Sequence, residues 1–247
     1  WAAMVKRPSD LGYADDGYIL PPLRMHDVIV RCDDAMARAA GKLFVDTATT
    51  LQDQRAARRA SMTARVNACA DIVAKTDAPF LVWCELNDES GAITEALRSA
   101  GVDVAEVKGS QSLDVKEELL SKFSEGRVRV LVTKPSIAGY GMNWQHAHHM
   151  AFLGVTHSFE QFYQAVRREW RFGQQHPVEC YVITSDAEGA VVTNLRRKEA
   201  DAEKMAREMS AMTADIVRSA VTSTHRETEP YEPNHDMTTP QWLTEAA

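Results

Sequence analysis

The chain has 247 residues, 45% of them hydrophobic and 26% charged, a balance that suits a globular fold able to bury a sizeable core. Its formal charge of -7 and pI of about 5.6 exclude a uniformly basic nucleic-acid binder, so any such contact is expected to be local, a groove with a few basic and hydroxyl residues. No apolar run approaches the length needed to span a membrane, and the four cysteines (Cys32, Cys69, Cys84, Cys180) form no CxxC pair. Reduced thiols and a cytoplasmic setting without a membrane partner are the resulting expectation. The first residue is Trp1 rather than methionine, which points to a fragment of a longer protein or a processed one.

Residues 1–60 read as a linker and helical segment. They carry the turn signals RPSD, ADDG and LPP, the strand candidate HDVIVRC, and an Ala-, Arg- and Gln-rich helical stretch over 34–62 with a break near Thr47–Thr50. Residues 61–185 then alternate between strand and helix. A helix starts at Ser61 and places Val66, Cys69, Ile72 and Val73 at helical spacing. PFLVWC (79–84) is a short apolar run, hence a buried strand. A helix from Asp88 to Ala100 is capped by Asn87 or Asp88 and ended by Gly101. VDVAEV (102–107) is a strand, and a helix over 113–123 turns Leu119, Leu120 and Phe123 inward. VRVLVT (128–133) and HHMAFLG (148–154) are further strands. The helix holding QAVRREWRFGQ (164–174) follows, and VECYVIT (178–184) is the last strand. Residues 186–223 form a helical extension, and residues 224–247, polar with three prolines, a flexible tail. The alternation implies an α/β fold, a parallel sheet with helices on both faces, RecA-like or Rossmann-like.

In such a sheet, ligands sit beyond the carboxyl ends of the strands. Four successive strands are followed there by ELNDES, KGSQS, KPSIAGYGMNWQ and VTHSFEQFYQAVRREWRFGQ, all polar or glycine-bearing. Gly139 and Gly141 flank Tyr140 and permit close backbone approach to a phosphate, although a lone GxG is most often just a turn. Lys108, Gly109, Ser110 and Ser112 precede a helix, where amides and hydroxyls bind phosphate, or simply cap the helix. Read as a helix, Gln164, Arg168 and Arg171 share one face, while Phe162, Ala165, Val166 and Glu169 form a neighbouring, mostly apolar stripe. Two guanidinium forks and an amide suit a phosphate; the plain alternative is a solvated basic face. His146, His148 and His149 lie together without further ligands at metal spacing. The basic RAARR (Arg55–Arg59) and RRK (Arg196–Lys198) runs read as surface charge, and Met205, Met209 and Met212 as packing residues.

The order strand–GS–helix–strand–TK…GxGxN–strand–QAxxRxxRxGQ–strand resembles the second, C-terminal RecA-like (P-loop NTPase-type) domain of superfamily 2 helicases. The likeness is greatest to the Swi/Snf branch and its small prophage-encoded members. It rests on Gln164, Ala165, Arg168, Arg171, Gly173 and Gln174 in the last motif and on Gly139, Gly141 and Asn143 in the one before, and covers about residues 60–185. Arg167 stands where remodellers carry Asp, and Trp170 where they carry His; Thr133 to Gly139 is about two residues longer. No GxxxxGK[ST] and no DExx box is present. Those belong to a first RecA-like domain that this chain does not contain.

The resemblance implies an ATP-dependent DNA helicase or translocase in a bacterial or phage-infected cell, seen as its C-terminal half. ATP and Mg²⁺ are held mainly by the first domain, the intramolecular partner. Arg171 is implied as the arginine finger, with Arg168 sharing the γ-phosphate or pairing with a carboxylate of the other domain, and Gln164 helping to orient the group. Gly139, Gly141 and Asn143 line the nucleotide side. Gly109, Ser110, Thr133, Lys134 and Ser136 contact single- or double-stranded DNA, no resident metal is held by this domain, and the chain alone is expected to be inactive. The other readings are a non-catalytic RecA-like module that binds nucleic acid or a partner, and an unrelated Rossmann-type enzyme, against which the missing GxGxxG and nucleophile–base set speak.

Overall fold

The computed structural model describes residues 8–11, 13–17, 19–31, 58–139, 141–154, 158–186 and 189–222. Six strands form one sheet: β1 (Leu23–Val30), β2 (Phe80–Cys84), β3 (Val104–Glu106), β4 (Val130–Thr133), β5 (His149–Leu153) and β6 (Val178–Ser185). Their spatial order is β1-β6-β5-β2-β4-β3, and every neighbouring pair is parallel. Parallel pairing requires long crossovers. These contain helices α1 (Met62–Val73), α2 (Asn87–Ser99), α3 (Leu113–Ser124), α4 (Pro135–Ala138) and α5 (Phe159–Val166), and α6 (Gly189–Thr222) follows β6.

The apolar runs read from the sequence become central strands because both faces are covered. Every residue of β2 and β4 is buried. Alternate side chains divide between two cores. Leu81, Trp83, Leu131, Met150, Phe152, Cys180 and Val182 pack with Phe123 of α3 and with Phe162, Ala165 and Val166 of α5. Phe80, Val82, Cys84, Val130, Val132, Ala151, Leu153 and Ile183 pack with Val66, Cys69 and Val73 of α1 and with Ile93 and Leu97 of α2. Each large apolar side chain so buried stabilises by roughly 1.5–3 kcal/mol. The three cysteines among the described residues (Cys69, Cys84, Cys180) are buried, and burial pushes the Cys69 thiol up to about 12.

Contacts divide the chain into two units, Asp15–Arg207 and Trp1–Ala14 with Glu208–Ala247. The larger holds the sheet. In the smaller, a 3₁₀ turn at Pro8–Leu11 is followed by an amide bond from Tyr13 to the Pro8 carbonyl (3.1 Å). Among the described residues no helix is long and apolar enough to cross a membrane.

Several elements differ from expectation. The strand read within the linker is β1, and it pairs along its whole length with β6, so this segment supplies the sheet's edge. Residues 32–57, with most of the predicted helix and Cys32, and residues 223–247 lie outside the described residues. Neither Asn87 nor Asp88 caps α2. Glu89 does, accepting the amides of Leu86 (3.0 Å) and Glu85 (3.3 Å). Most consequential for the site, α5 ends at Val166. Arg168 and Arg171 therefore lie in the turns beyond the helix and not on one helical face with Gln164. Met205 and Met212, expected to pack, are exposed.

Candidate functional site

The carboxyl ends of β2, β3, β4 and β5 share one edge of the sheet because the four strands are parallel neighbours. Glu85, Val107, Lys134 and Gly154 are the residues that leave the four strands there. The turn after α5 is held by its own motif residues. The Arg168 carbonyl accepts the Trp144 amide (2.9 Å), and its guanidinium donates to the Met142 carbonyl (2.9 Å), the Gln164 carbonyl (3.0 Å) and Gln164 Oε1 (3.4 Å). Arg168 thus joins the GxGxN loop to α5 and brings Gly141, Asn143 and Gln164 together. Burial, then the like charges of Arg171 and Arg167, lower its pKa from the usual value. A guanidinium stays protonated regardless. So the site carries a desolvated positive charge, and no carboxylate among the described residues pairs with it.

Arg171 is different. It is half-buried, its backbone amide donates a hydrogen bond to the Glu169 carbonyl (3.1 Å), and its guanidinium has no partner among the described residues. The turn around it is over-determined. Gln174 is buried and donates Nε2 to the carbonyls of Ala147 (2.9 Å), Gln145 (3.1 Å) and Glu169 (3.2 Å), while its Oε1 accepts the amides of Gln175 and His176 (2.9 Å each). Gln145 donates to the Phe172 carbonyl. Gly173 sits at φ +94°, a handedness that favours glycine, and a Cβ there would push aside the Gln145 side chain, whose Nε2 stands at 2.8 Å. The final Gln of the motif is therefore a scaffold residue, a role the spacing alone did not reveal.

Two residues that depart from the remodeller pattern act together. The Arg167 guanidinium lies 5.4 Å from the Trp170 ring and 6.0 Å from the Tyr163 ring. The Trp170 indole donates to the Pro21 carbonyl at 2.7 Å, tying the turn to the segment before β1. Between them sits Glu169, 0% exposed, with both carboxylate oxygens lacking a hydrogen-bond partner among the described residues. Burial raises its pKa well above the carboxylate range. The sequence reading put Glu169 on a mostly apolar helical stripe; in the structure it lies in the turn beyond α5 and is buried there all the same.

Of the glycines, Gly139 is buried at the end of α4 and Gly141 is exposed at φ +78°; Asn143 is exposed. Gly109, Ser110 and Ser136 are exposed and Lys134 is half-exposed; the Gly109 carbonyl accepts Lys116 Nζ (2.7 Å). Thr133 departs from this set. It is 0% exposed, with its hydroxyl turned to the Val107 carbonyl (3.4 Å), because it is the last paired residue of a central strand. It presents no surface to a strand of nucleic acid.

Sequence reasoning missed the charges behind this edge. Arg58, read as part of a surface run, is buried against Glu89 and Arg65. Arg196 of the other basic run pairs with Asp27 (2.7 Å). The histidine rings lie tilted against one another: His148 lies 4.6 Å from His149 and 4.9 Å from His176, ring to ring, and burial lowers the pKa of His148 and His149. Among the described residues no His/Cys/Asp/Glu group is placed to hold a metal ion.

A six-stranded all-parallel sheet with this order has the RecA-like fold found in C-terminal domains of helicases. Residues 64–173 match the family described as helicase conserved C-terminal domain. Among solved structures, the C-terminal part of the Fun30 ATPase domain aligns with a TM-score of 0.56 and 12% identity, over 81% of this chain and 99% of that one. A DEAD box protein from the hyperthermophile Methanococcus jannaschii aligns with a TM-score of 0.53 and 14% identity, over 71% of this chain and 39% of that one. Among curated proteins, a probable ATP-dependent RNA helicase ddx41 of Dictyostelium discoideum is 24% identical over 118 residues, 48% of this chain and 17% of its own length. A bifunctional helicase and thymine dioxygenase JBP2 of Leishmania major is 26% identical over 135 residues, 53% of this chain and 12% of its own length. The match thus spans about a sixth or less of these relatives.

Proposed function

We propose that this chain is the C-terminal half of an ATP-dependent DNA helicase or translocase of the Swi/Snf type, akin to prophage-encoded helicases and acting in the cytoplasm of a bacterium or phage-infected host. The observation that carries the proposal is Arg171: a guanidinium without a partner among the described residues, on a turn pinned by Gln174 and Gln145, beside a second desolvated arginine. Two cations without carboxylate partners among the described residues, at a strand-end edge, fit a polyphosphate. Arg171 places charge against the γ-phosphate, and arginine fingers contribute about 10³–10⁵ in rate. Arg168 keeps donors beyond those it spends on Met142 and Gln164, and uses them on the same phosphate or on a carboxylate of the first domain. Gln164 orients Arg168, and Gly139, Gly141 and Asn143 line the nucleotide side. ATP with Mg²⁺, bound mainly by the first RecA-like domain, supplies the phosphoryl group whose transfer to water drives closure and opening of the two domains.

Gly109, Ser110, Lys134 and Ser136 contact the backbone of the tracked strand. Neutral donors and one lysine give a local grip that releases easily, in keeping with the acidic chain. A second reading, a binding module without ATPase function, is favoured by one feature: much of Arg168's donor capacity is turned inward.

The test is ATP turnover by the protein extended upstream of Trp1 to include the P-loop domain, measured alone and with single-stranded DNA, double-stranded DNA and RNA. Stimulation by DNA above RNA supports the proposal. Stimulation by RNA alone places the chain with RNA helicases, and nucleic-acid binding without turnover favours the module.

A further inference from the structure

Behind the carboxyl edge lies a buried charge network. Glu89 and Arg65 are both 0% exposed and Arg58 is nearly so. Glu89 accepts Arg58 Nε at 2.8 Å, an Arg58 terminal nitrogen at 3.2 Å and an Arg65 terminal nitrogen at 2.8 Å, besides the amides of Glu85 and Leu86. Arg65 also donates to Ser61 Oγ (3.1 Å) and to the Arg58 carbonyl (2.6 Å). Both arginines converge on one further acceptor, the carbonyl of Leu153, at 3.0 Å from Arg65 and 3.2 Å from Arg58. Burial alone would raise the Glu89 carboxyl, but the Arg58 hydrogen bond, the charges of Arg58 and Arg65 and the Leu86 amide outweigh it, so it stays ionised.

The placement is specific. Leu153 is the last residue of β5, and Glu85 and Leu86 form the turn after β2. The next residue, Gly154, has φ +85°, its amide donates to the Ile183 carbonyl, and a Cβ there would stand 2.5 Å from the Arg58 guanidinium. Beyond it, the Ser158 hydroxyl caps α5, and Phe162 of that helix packs its ring 4.6 Å from Phe152 of β5. Buried ion pairs add little net stability over apolar residues of similar volume; their better-attested use is to fix one geometry. The two hydrophobic clusters on either side of the sheet supply the cohesion without these three buried charges.

We infer that Arg58, Glu89 and Arg65 are positioning residues. They clamp the end of β5 to the turn after β2 and so set where α5 presents Arg168 and Arg171. This rests on the ATPase reading above and extends it to residues that touch no ligand.

The test neutralises the network at nearly constant volume: Arg58→Met, Arg65→Met and Glu89→Gln together, with Gln retaining an acceptor for the Leu86 amide. Hydrogen exchange is followed on the whole chain, and ATP turnover on the protein extended to the P-loop domain. The expected result is a melting temperature within a few degrees of the parent, at least tenfold faster exchange over residues 159–174 with β2 and β4 unchanged, and at least a tenfold fall in kcat with KM for ATP within about twofold. A folded variant with unchanged exchange over 159–174 overturns the inference, as does unchanged kcat. Should the triple variant not fold, Arg58→Lys, which keeps the charge but loses the paired donors, is read in the same two ways. Arg171→Ala runs in parallel. If it too leaves turnover intact, the ATPase reading has failed, and exchange alone decides the clamp.

Discussion

Replacing Glu169 by leucine should stabilise this domain, and more so as pH rises. The side chain is fully buried and neither oxygen is hydrogen-bonded among the described residues, so the folded state bears the desolvation cost of a protonated carboxyl, about 1–3 kcal/mol. Because burial raises the folded pKa well above the unfolded one, folding costs nothing extra below about pH 4.3, where both states hold the proton. Above that the unfolded state ionises first. Stability then falls by up to ~1.4 kcal/mol per pH unit until the folded pKa is reached. Leucine has similar bulk and no proton to lose. Glu169→Leu is therefore expected to gain roughly 1–3 kcal/mol at pH 4, or about 2–4 °C in melting temperature per kcal/mol, and clearly more at pH 8. Urea and thermal unfolding of the two proteins at pH 4, 6 and 8 provide the check. A destabilised leucine variant, or a difference that does not widen with pH, would mean that the carboxylate has a partner in the folded state and that the reasoning is mistaken.

Two further expectations concern the same turn. In a double-mutant cycle of Arg167→Ala and Trp170→Phe, read by urea unfolding, the cation–π contact should appear as coupling of about 0.5–1 kcal/mol; zero coupling would leave the pair as mere neighbours. Gly173→Ala should cost about 1–3 kcal/mol, since alanine must adopt φ +94° and displace Gln145. Thermal unfolding reads this, and an unchanged midpoint would show that the turn relaxes.

Much of this architecture is legible in the sequence, for a physical reason. Strands buried on both faces must be apolar throughout, and PFLVWC and VRVLVT could satisfy no solvent-facing position. The helix over 113–124 announces itself by Ser112, whose hydroxyl accepts the Val115 amide. What resisted reading was decided by distant partners. RREW is a good helix-forming run, yet the helix stops at Val166, where Arg168 exchanges helical bonding for the Trp144 amide and Met142 carbonyl. Asn87 and Asp88 look like caps, but the N-terminus of α2 is already served by Glu89. The resemblance implies Thr133, at the end of its strand, as a nucleic-acid contact; pairing of β4 with β2 buries it. The clamp of Arg58, Arg65 and Glu89 joins residues up to 31 positions apart, with no local pattern to betray it. In the candidate site, Arg168 meets Gln164 and the GxGxN loop not through the helical face that the spacing suggested but largely through backbone carbonyls that no spacing encodes.

The central claim is that Arg171 is placed for a phosphate. Its most direct test is nucleic-acid-stimulated ATP turnover by the protein extended through the P-loop domain, compared with the Arg171→Ala variant at saturating ATP. The account predicts a fall in kcat of about 10³-fold or more, with folding intact by circular dichroism. Turnover within a few-fold of the parent would contradict it, and would make the arginines of QAVRREWRFGQ residues of folding or strand binding.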